Sequence, residues 1–251
     1  LNFMPSNLMS LFDGSKINGT AYAQNQKAMI IAAHPDDGEF GAAGTATLLA
    51  ASGWDFQYLV ITDGSKGSSD KNVDKNELRA SRLTEQQYAA KLLGISKIKT
   101  LNHVDGELVA DRNLLGEIVR EIRMFKPAII FTHDPESMFS GTGWIHHSDH
   151  RATGQMVIDA VYPAARDILN FPEHSVEGLT THNVQTIYLW DTEKPNIYID
   201  ISDVLDKKIS ALLSHKSQFP SPKLFAHQSR QMWRDSDGKY REEFRRLDIW
   251  A

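Results

Sequence analysis

The residues Ala28-Met29-Ile30-Ile31-Ala32-Ala33, followed at once by His34-Pro35-Asp36-Asp37-Gly38, decide the fold. A continuous apolar run of this length, with no polar alternation, reads as a strand covered on both faces, as in a parallel sheet. The Pro- and Gly-containing loop ends it. The same unit recurs outward along the chain. A small-residue helix is expected from Gly41 to Ser52, then a second strand from Phe56 to Ile61 running into Asp63-Gly64. Leu78, Leu83, Tyr88, Leu92 and Leu93 mark a helix over 76–93 with Gly94 as its stop, and Ile98 to Leu101 marks a third strand. A helix from Leu114 to Phe125, closed ahead of Pro127, leads to a fourth strand from Ala128 to Thr132. A helix from Asp149 toward Asp159, strands over 184–190 and 196–201, and a helix over 204–217 capped by Ser202 complete the alternation. This order predicts an α/β fold: a Rossmann-like, mainly parallel sheet with helices on both faces and its active site at the carboxyl ends of the strands.

The 251 residues suffice for one large core, so a single domain over 1–251 is expected. No segment approaches the ~20 consecutive apolar residues of a membrane helix, which predicts a soluble chain with no membrane partner. A formal charge of -5 supplies no basic field for phosphates, so nucleic acid is excluded as the primary partner and a small polar ligand is favoured. The absence of cysteine rules out disulfides, thiolate metal sites and a thiol nucleophile. It also fits a reducing compartment, and a cytoplasmic location is expected. Residues 21–24, Ala-Tyr-Ala-Gln, resemble a signal cleavage site only superficially, because the preceding Asp13-Gly14-Ser15-Lys16 is polar. Beyond Pro220, Lys223, Arg230, Arg234, Lys239, Arg241, Arg245 and Arg246 mingle with acids and aromatics. That mixture reads as a solvated helix or an oligomer contact, without chemistry of its own.

Two clusters carry chemistry. His34 and Asp37 flank a proline in one tight loop directly after the first strand, where imidazole nitrogen and carboxylate oxygen can approach a single cation, leaving Asp36 free beside it. The second cluster, Trp144-Ile145-His146-His147-Ser148-Asp149-His150, follows the fourth strand and converges on the same sheet edge. A catalytic zinc takes three protein ligands and keeps one open position, so His34, Asp37 and one histidine of the second cluster complete a site. Each cluster has a plainer reading, a helix-capping turn for the first and a polar surface loop for the second. Their placement after two strands of one sheet favours a metal site.

These clusters, with Asp63-Gly64, Arg82 and Glu85, Asp105-Gly106-Glu107-Leu108, Asp200-Ile201-Ser202 and His215-Lys216-Ser217-Gln218-Phe219-Pro220, resemble the PIG-L/LmbE-like zinc-dependent N-deacetylase family over about residues 28–220. The likeness is greatest to its N-acetylglucosamine and chitobiose deacetylases, through Thr62-Asp63-Gly64 with Gly67 and the segment from Lys194 to Pro220. The resemblance implies one Zn²⁺ per chain on His34, Asp37 and His150, with Fe²⁺, Co²⁺ and Mn²⁺ able to take the same donors. It implies Asp36 as general base, His147 as oxyanion stabiliser, and Asp149 as the group orienting His147. It assigns Arg82 and Asp105 to the sugar hydroxyls, while Trp144 is either a sugar-stacking wall or loop packing. The implied partner is a small amino-sugar substrate, the implied reaction is N-acetyl hydrolysis, and a homo-oligomer is compatible with the segment 221–251, which can instead close the pocket. Gly38 stands where many members have an acidic residue, and Ser148 where many have proline. Apart from the family, Arg82 reads as a surface ion pair with Glu85, Asp105-Gly106 as a turn, and His103, His133 and His146 as supporting or incidental. The rivals are a deacetylase or amidase of N-acetylglucosaminyl conjugates and a non-catalytic sugar-binding module.

Overall fold

The computed structural model describes residues 26–249 apart from Thr142 and Pro220, so the superficial cleavage-site residues 21–24 lie outside the described residues. Strands β1 (Lys27–Ala32), β2 (Asp55–Thr62), β3 (Lys97–His103), β4 (Ile129–His133), β7 (Thr186–Trp190), β8 (Ile197–Asp200) and β9 (Arg241–Asp248) form one sheet in the order β3-β2-β1-β4-β7-β9-β8. A separate two-stranded ribbon pairs β5 (Phe139–Ser140) with β6 (Trp144–Ile145). The five strands from β3 to β7 are mutually parallel.

Alternate residues of each strand feed opposite faces. Ala28, Ile30, Tyr58, Val60, Phe131 and Tyr188 belong to one core. Met29, Ile31, Leu59, Ile61, Ile130 and Ile187 belong to the other. Helices α2 (Ala43–Ala51) and α3 (Lys75–Leu93) cover the first face, and α4 (Arg112–Phe125) and α5 (Ser148–Asp159) the second. The chain runs outward from β1 to β3, then returns to β4 on the other side of β1. The loops after β1 and β4 therefore part at the switch point, where such sheets hold their ligands.

Local chemistry explains the boundaries. Asp74 caps α3 by accepting from the amides of Asn76 and Glu77, and Gly94 ends it at φ 84, as its sequence predicts. Gly38 lies in the first turn of α1 (Asp37–Gly41), and a Cβ there would meet the Tyr58 hydroxyl at 2.1 Å, so a larger residue cannot fit without displacing Tyr58. At Gly154, a Cβ would meet the His133 carbonyl at 2.4 Å, so a glycine lets α5 lie close against β4.

Two expectations are corrected. The helix expected over 204–217 is a 3-10 turn, Ser202–Val204, and a shorter helix α6 (Leu205–Leu212). Ser202 does not cap it, because its hydroxyl accepts the amide of Tyr240. The segment past Pro220 does contain a helix, α7 (Pro222–Met232), but β9 follows and inserts antiparallel between β7 and β8. Its charged sequence hid it. Phe244 is buried in the core, and the buried Glu242 pairs with Lys208 from α6. The sheet is thus completed by residues beyond the 28–220 stretch that carries the family resemblance. No described helix is long and apolar enough to cross a membrane.

Candidate active site

The loop after β1 turns on Asp36, which adopts φ 93 and ψ -26 as the cap of α1. A non-glycine residue in this region stores strain of order 1–3 kcal/mol, and such strain gathers at functional positions. The turn folds the Asp37 carboxylate back over its own loop, where Oδ2 accepts the His34 amide at 2.7 Å. The loop after β4 and the start of α5 deliver His147, Asp149 and His150 to the same edge.

Ligand-type atoms of His34, Asp37 and His150 lie within 4.8 Å of one another. His34 Nδ1 is 3.2 Å from Asp37 Oδ2, and His150 Nε2 is 3.2 Å from Asp37 Oδ1. Donors about 2.0–2.1 Å from a tetrahedral zinc stand roughly 3.3–3.4 Å apart, so both separations fit one cation. The second ring atom of His34 supports that fit, since Nε2 points at Asp105 Oδ1 (3.2 Å) and Asp149 Oδ2 (3.3 Å). With its proton on Nε2, held by two carboxylates, Nδ1 presents a lone pair, the carboxylate–histidine–metal arrangement. Among the described residues two other triads have comparable spacing, His34 with Asp105 and His147, and His133 with His150 and Asp191. The first would take the His34 nitrogen that faces two carboxylates, and in the second His133 Nδ1 already accepts from the Trp190 indole at 3.0 Å.

The electrostatics agree. Burial alone would lower the His34 pKa, but Asp37, Asp105 and Asp149 reverse this and push it up to about 12, the mark of a pocket rich in carboxylates and short of cations. Burial would raise Asp37, but His150 and His34 hold it well below the usual carboxylate range. His150 is lowered by burial and by the neighbouring His133 and His34, against the pull of Asp37, which favours the neutral ring a metal requires. Burial, with Asp37 adding, lifts Asp36 to about 7 although Arg82 pulls it down. A carboxyl with that affinity can take and return a proton near neutrality.

The remaining expected residues sit as follows. The His147 side chain is 45% exposed at the mouth, with its ring 4.7 Å from that of His34. Its Nδ1 accepts the Asp149 amide at 3.1 Å, which fixes the ring proton on Nε2. The Asp149 carboxylate, expected to orient this ring, is 3.9 Å away and instead takes His34 Nε2 and the Gly106 amide (2.7 Å). Asp105 accepts from His34 and from the Lys66 amide. Arg82 is 3% exposed, donates to the carbonyls of Gly64 (3.1 Å) and Pro35 (2.7 Å), and lies 3.4 Å from Asp36. Glu85 does not pair with it but accepts from Ser217. Trp144 is 67% exposed on the ribbon. His103 pairs with Glu117 and His146 with Ser140, whereas His133 stands 3.4 Å from Asp37 Oδ2. Of the three histidines read as supporting or incidental, His133 is the one set beside Asp37, as the last residue of an apolar strand.

Comparison with known proteins gives the family. The family model described as PIG-L, GlcNAc-PI de-N-acetylase, matches residues 29–161. The chain is 40% identical over 195 residues to diacetylchitobiose deacetylase of Thermococcus kodakarensis, covering 78% of this chain and 71% of that protein. It is 29% identical over 200 residues to a probable N-acetyl-alpha-D-glucosaminyl L-malate deacetylase 2 of Bacillus cereus, covering 76% and 82%. The solved structure of N,N'-diacetylchitobiose deacetylase from Pyrococcus horikoshii, in complex with its inhibitor MPG, superposes with a TM-score of 0.82 at 29% identity, over 96% of this chain and 89% of that one. The matched stretch holds His34, Asp36, Asp37, His147 and His150, and this chain belongs to the PIG-L family of de-N-acetylases.

Proposed function

We propose that the chain, acting as one catalytic domain, hydrolyses the N-acetyl group of N-acetylglucosamine or of a chito-oligosaccharide such as diacetylchitobiose, releasing acetate and the free amine. The observation that carries this reading is the strained Asp36 carboxyl beside three converging ligand atoms and bonded to none of them. His34, Asp37 and His150 would hold one divalent cation, zinc in this reading. When bound it supplies a Lewis acid for the acetamide carbonyl and makes water easier to deprotonate near neutral pH.

The chain's own residues do the rest. Asp36 takes the proton from the attacking water and passes it to the departing nitrogen. The Nε2–H of His147 donates to the oxygen that gains charge, and the Asp149 amide keeps that tautomer in place. Asp105 and Asp149 hold His34, and Arg82 holds the loop beneath Asp36. Of the residues read as sugar contacts, Trp144 has the exposed flat face suited to stacking on a ring. In this reading the enzyme works in the cytoplasm on a small amino sugar, and α7, with Leu224 and Met232 exposed, is available to a second copy.

The test is acetate release from N-acetylglucosamine and diacetylchitobiose by zinc-reconstituted protein, with Asp36→Ala as the matched control. Release that disappears in the variant supports the reading. No release from either sugar, with one equivalent of metal bound, sinks it in favour of a conjugated substrate, of the kind named for the Bacillus cereus relative.

A further inference from the structure

Asp36 keeps its φ of 93 only while something holds it there. Its amide donates to Gln86 Oε1 at 3.1 Å, and Gln86 is 1% exposed in the middle of α3. Arg82, one turn earlier on the same face, takes the Pro35 carbonyl, so the two residues grip both ends of the Pro35–Asp36 peptide unit that leads into the strained position. The Gln86 amide has one permissible orientation. The Asp36 N–H must meet its oxygen, which directs Nε2 to Glu39 Oε1 at 2.9 Å.

Glu39 is fully buried, and its second oxygen accepts the Tyr58 hydroxyl at 3.0 Å. The same oxygen faces His215 Nε2 at 3.6 Å, and His215 is itself fully buried with neither ring nitrogen hydrogen-bonded. The turn carrying His215 is tied to α3, where Glu85 accepts both the amide (2.8 Å) and the hydroxyl (2.6 Å) of Ser217. Gln86, Glu39, Tyr58 and His215 form no hydrogen bond or ion pair with His34, Asp37 or His150, and a core without function would not favour two buried polar side chains in series behind one strained residue.

We propose that Gln86 is the positioning residue of Asp36, and that Glu39, backed by His215 and Tyr58, keeps the Gln86 amide turned toward it. The inference rests on the reading of Asp36 as the base. Without the Gln86 oxygen, Asp36 relaxes toward negative φ and its carboxylate swings away from the attacking water, so kcat falls while substrate and metal binding persist.

The experiment measures kcat, KM and bound metal for Gln86→Leu, Gln86→Glu and the exchange Glu39→Gln/Gln86→Glu, with Asp36→Ala alongside. Gln86→Leu should lose about 10–100-fold in kcat, the usual cost of removing a supporting hydrogen bond at a metal site, with KM and metal content unchanged. Gln86→Glu alone sets two carboxylates face to face and should also lose kcat. The exchange returns an acceptor to the Asp36 amide and a donor to its partner, and should restore kcat to within roughly fivefold of the parent. Wild-type kcat in Gln86→Leu, a loss that follows metal content, or an exchange no better than Gln86→Glu would each overturn the inference. The two carboxylate variants decide it if Gln86→Leu does not fold. Full activity in Asp36→Ala would remove the base assignment itself, whereas an inactive Asp36→Ala beside an unaffected Gln86→Leu removes the positioning role alone.

Discussion

Two clusters of buried charge lie on either side of the loop after β1, and they are built on opposite principles. Behind it, Glu242 of β9 accepts the amides of Gly44 (2.8 Å) and Thr45 (2.7 Å) and the Lys208 ammonium (2.5 Å). Lys208 also donates to the Phe40 carbonyl at 2.6 Å and lies 4.1 Å over the Trp233 ring. Every charge there is answered from within the protein, and the pair is sealed from solvent. In front of the loop, the carboxylates of Asp36, Asp37, Asp105 and Asp149 gather, Arg82 pairs with Asp36 among the described residues, and the His147 side chain beside them is exposed. Buried charge closed on itself holds structure together. Buried charge left in excess at an opening calls for an ion and a substrate.

Four substitutions probe the two clusters. The largest effect belongs to Asp36→Ala, which should lower acetate release by about 10²–10⁴-fold, with metal stoichiometry unchanged by elemental analysis. Loss of metal would instead make Asp36 a ligand. Next comes Lys208→Met behind the loop, which strands Glu242 and should cost about 3–5 kcal/mol in denaturant unfolding, while kcat of the folded fraction holds. An unfolding midpoint equal to the parent's would show that this pair is not the structural counterpart described above. His147→Ala should cost ~10²–10³-fold in kcat through the missing oxyanion donor, with little change in stability. The smallest effect is that of Asp149→Asn, about 10–100-fold in metal affinity through weakened support of His34, read by competition with a chelator. A fall in kcat at saturating metal would return Asp149 to the role of orienting His147.

What could be read from the chain alone was local in origin. The unbroken apolar run at 28–33, the glycine stop at 94 and the spacing of His34, Asp36 and Asp37 each state their structure within a few residues, because strand burial, helix ends and tight loops are short-range properties. The parallel sheet, its active edge and the residues that gather there followed from them. The division of labour among those residues did not. The Asp149 carboxylate reaches His34 while its amide meets His147, Arg82 holds backbone rather than pairing with Glu85, and His133 stands beside Asp37, because each contact joins elements far apart in the chain. The strand β9 was hidden for the same reason. Arg-Glu-Glu-Phe-Arg-Arg reads as surface until Lys208, from a helix more than thirty residues earlier, neutralises Glu242 inside the fold. The residue types set which groups can bear charge, whereas the folded arrangement sets which charges meet, since Coulomb energy and desolvation depend on distances between groups remote in the chain.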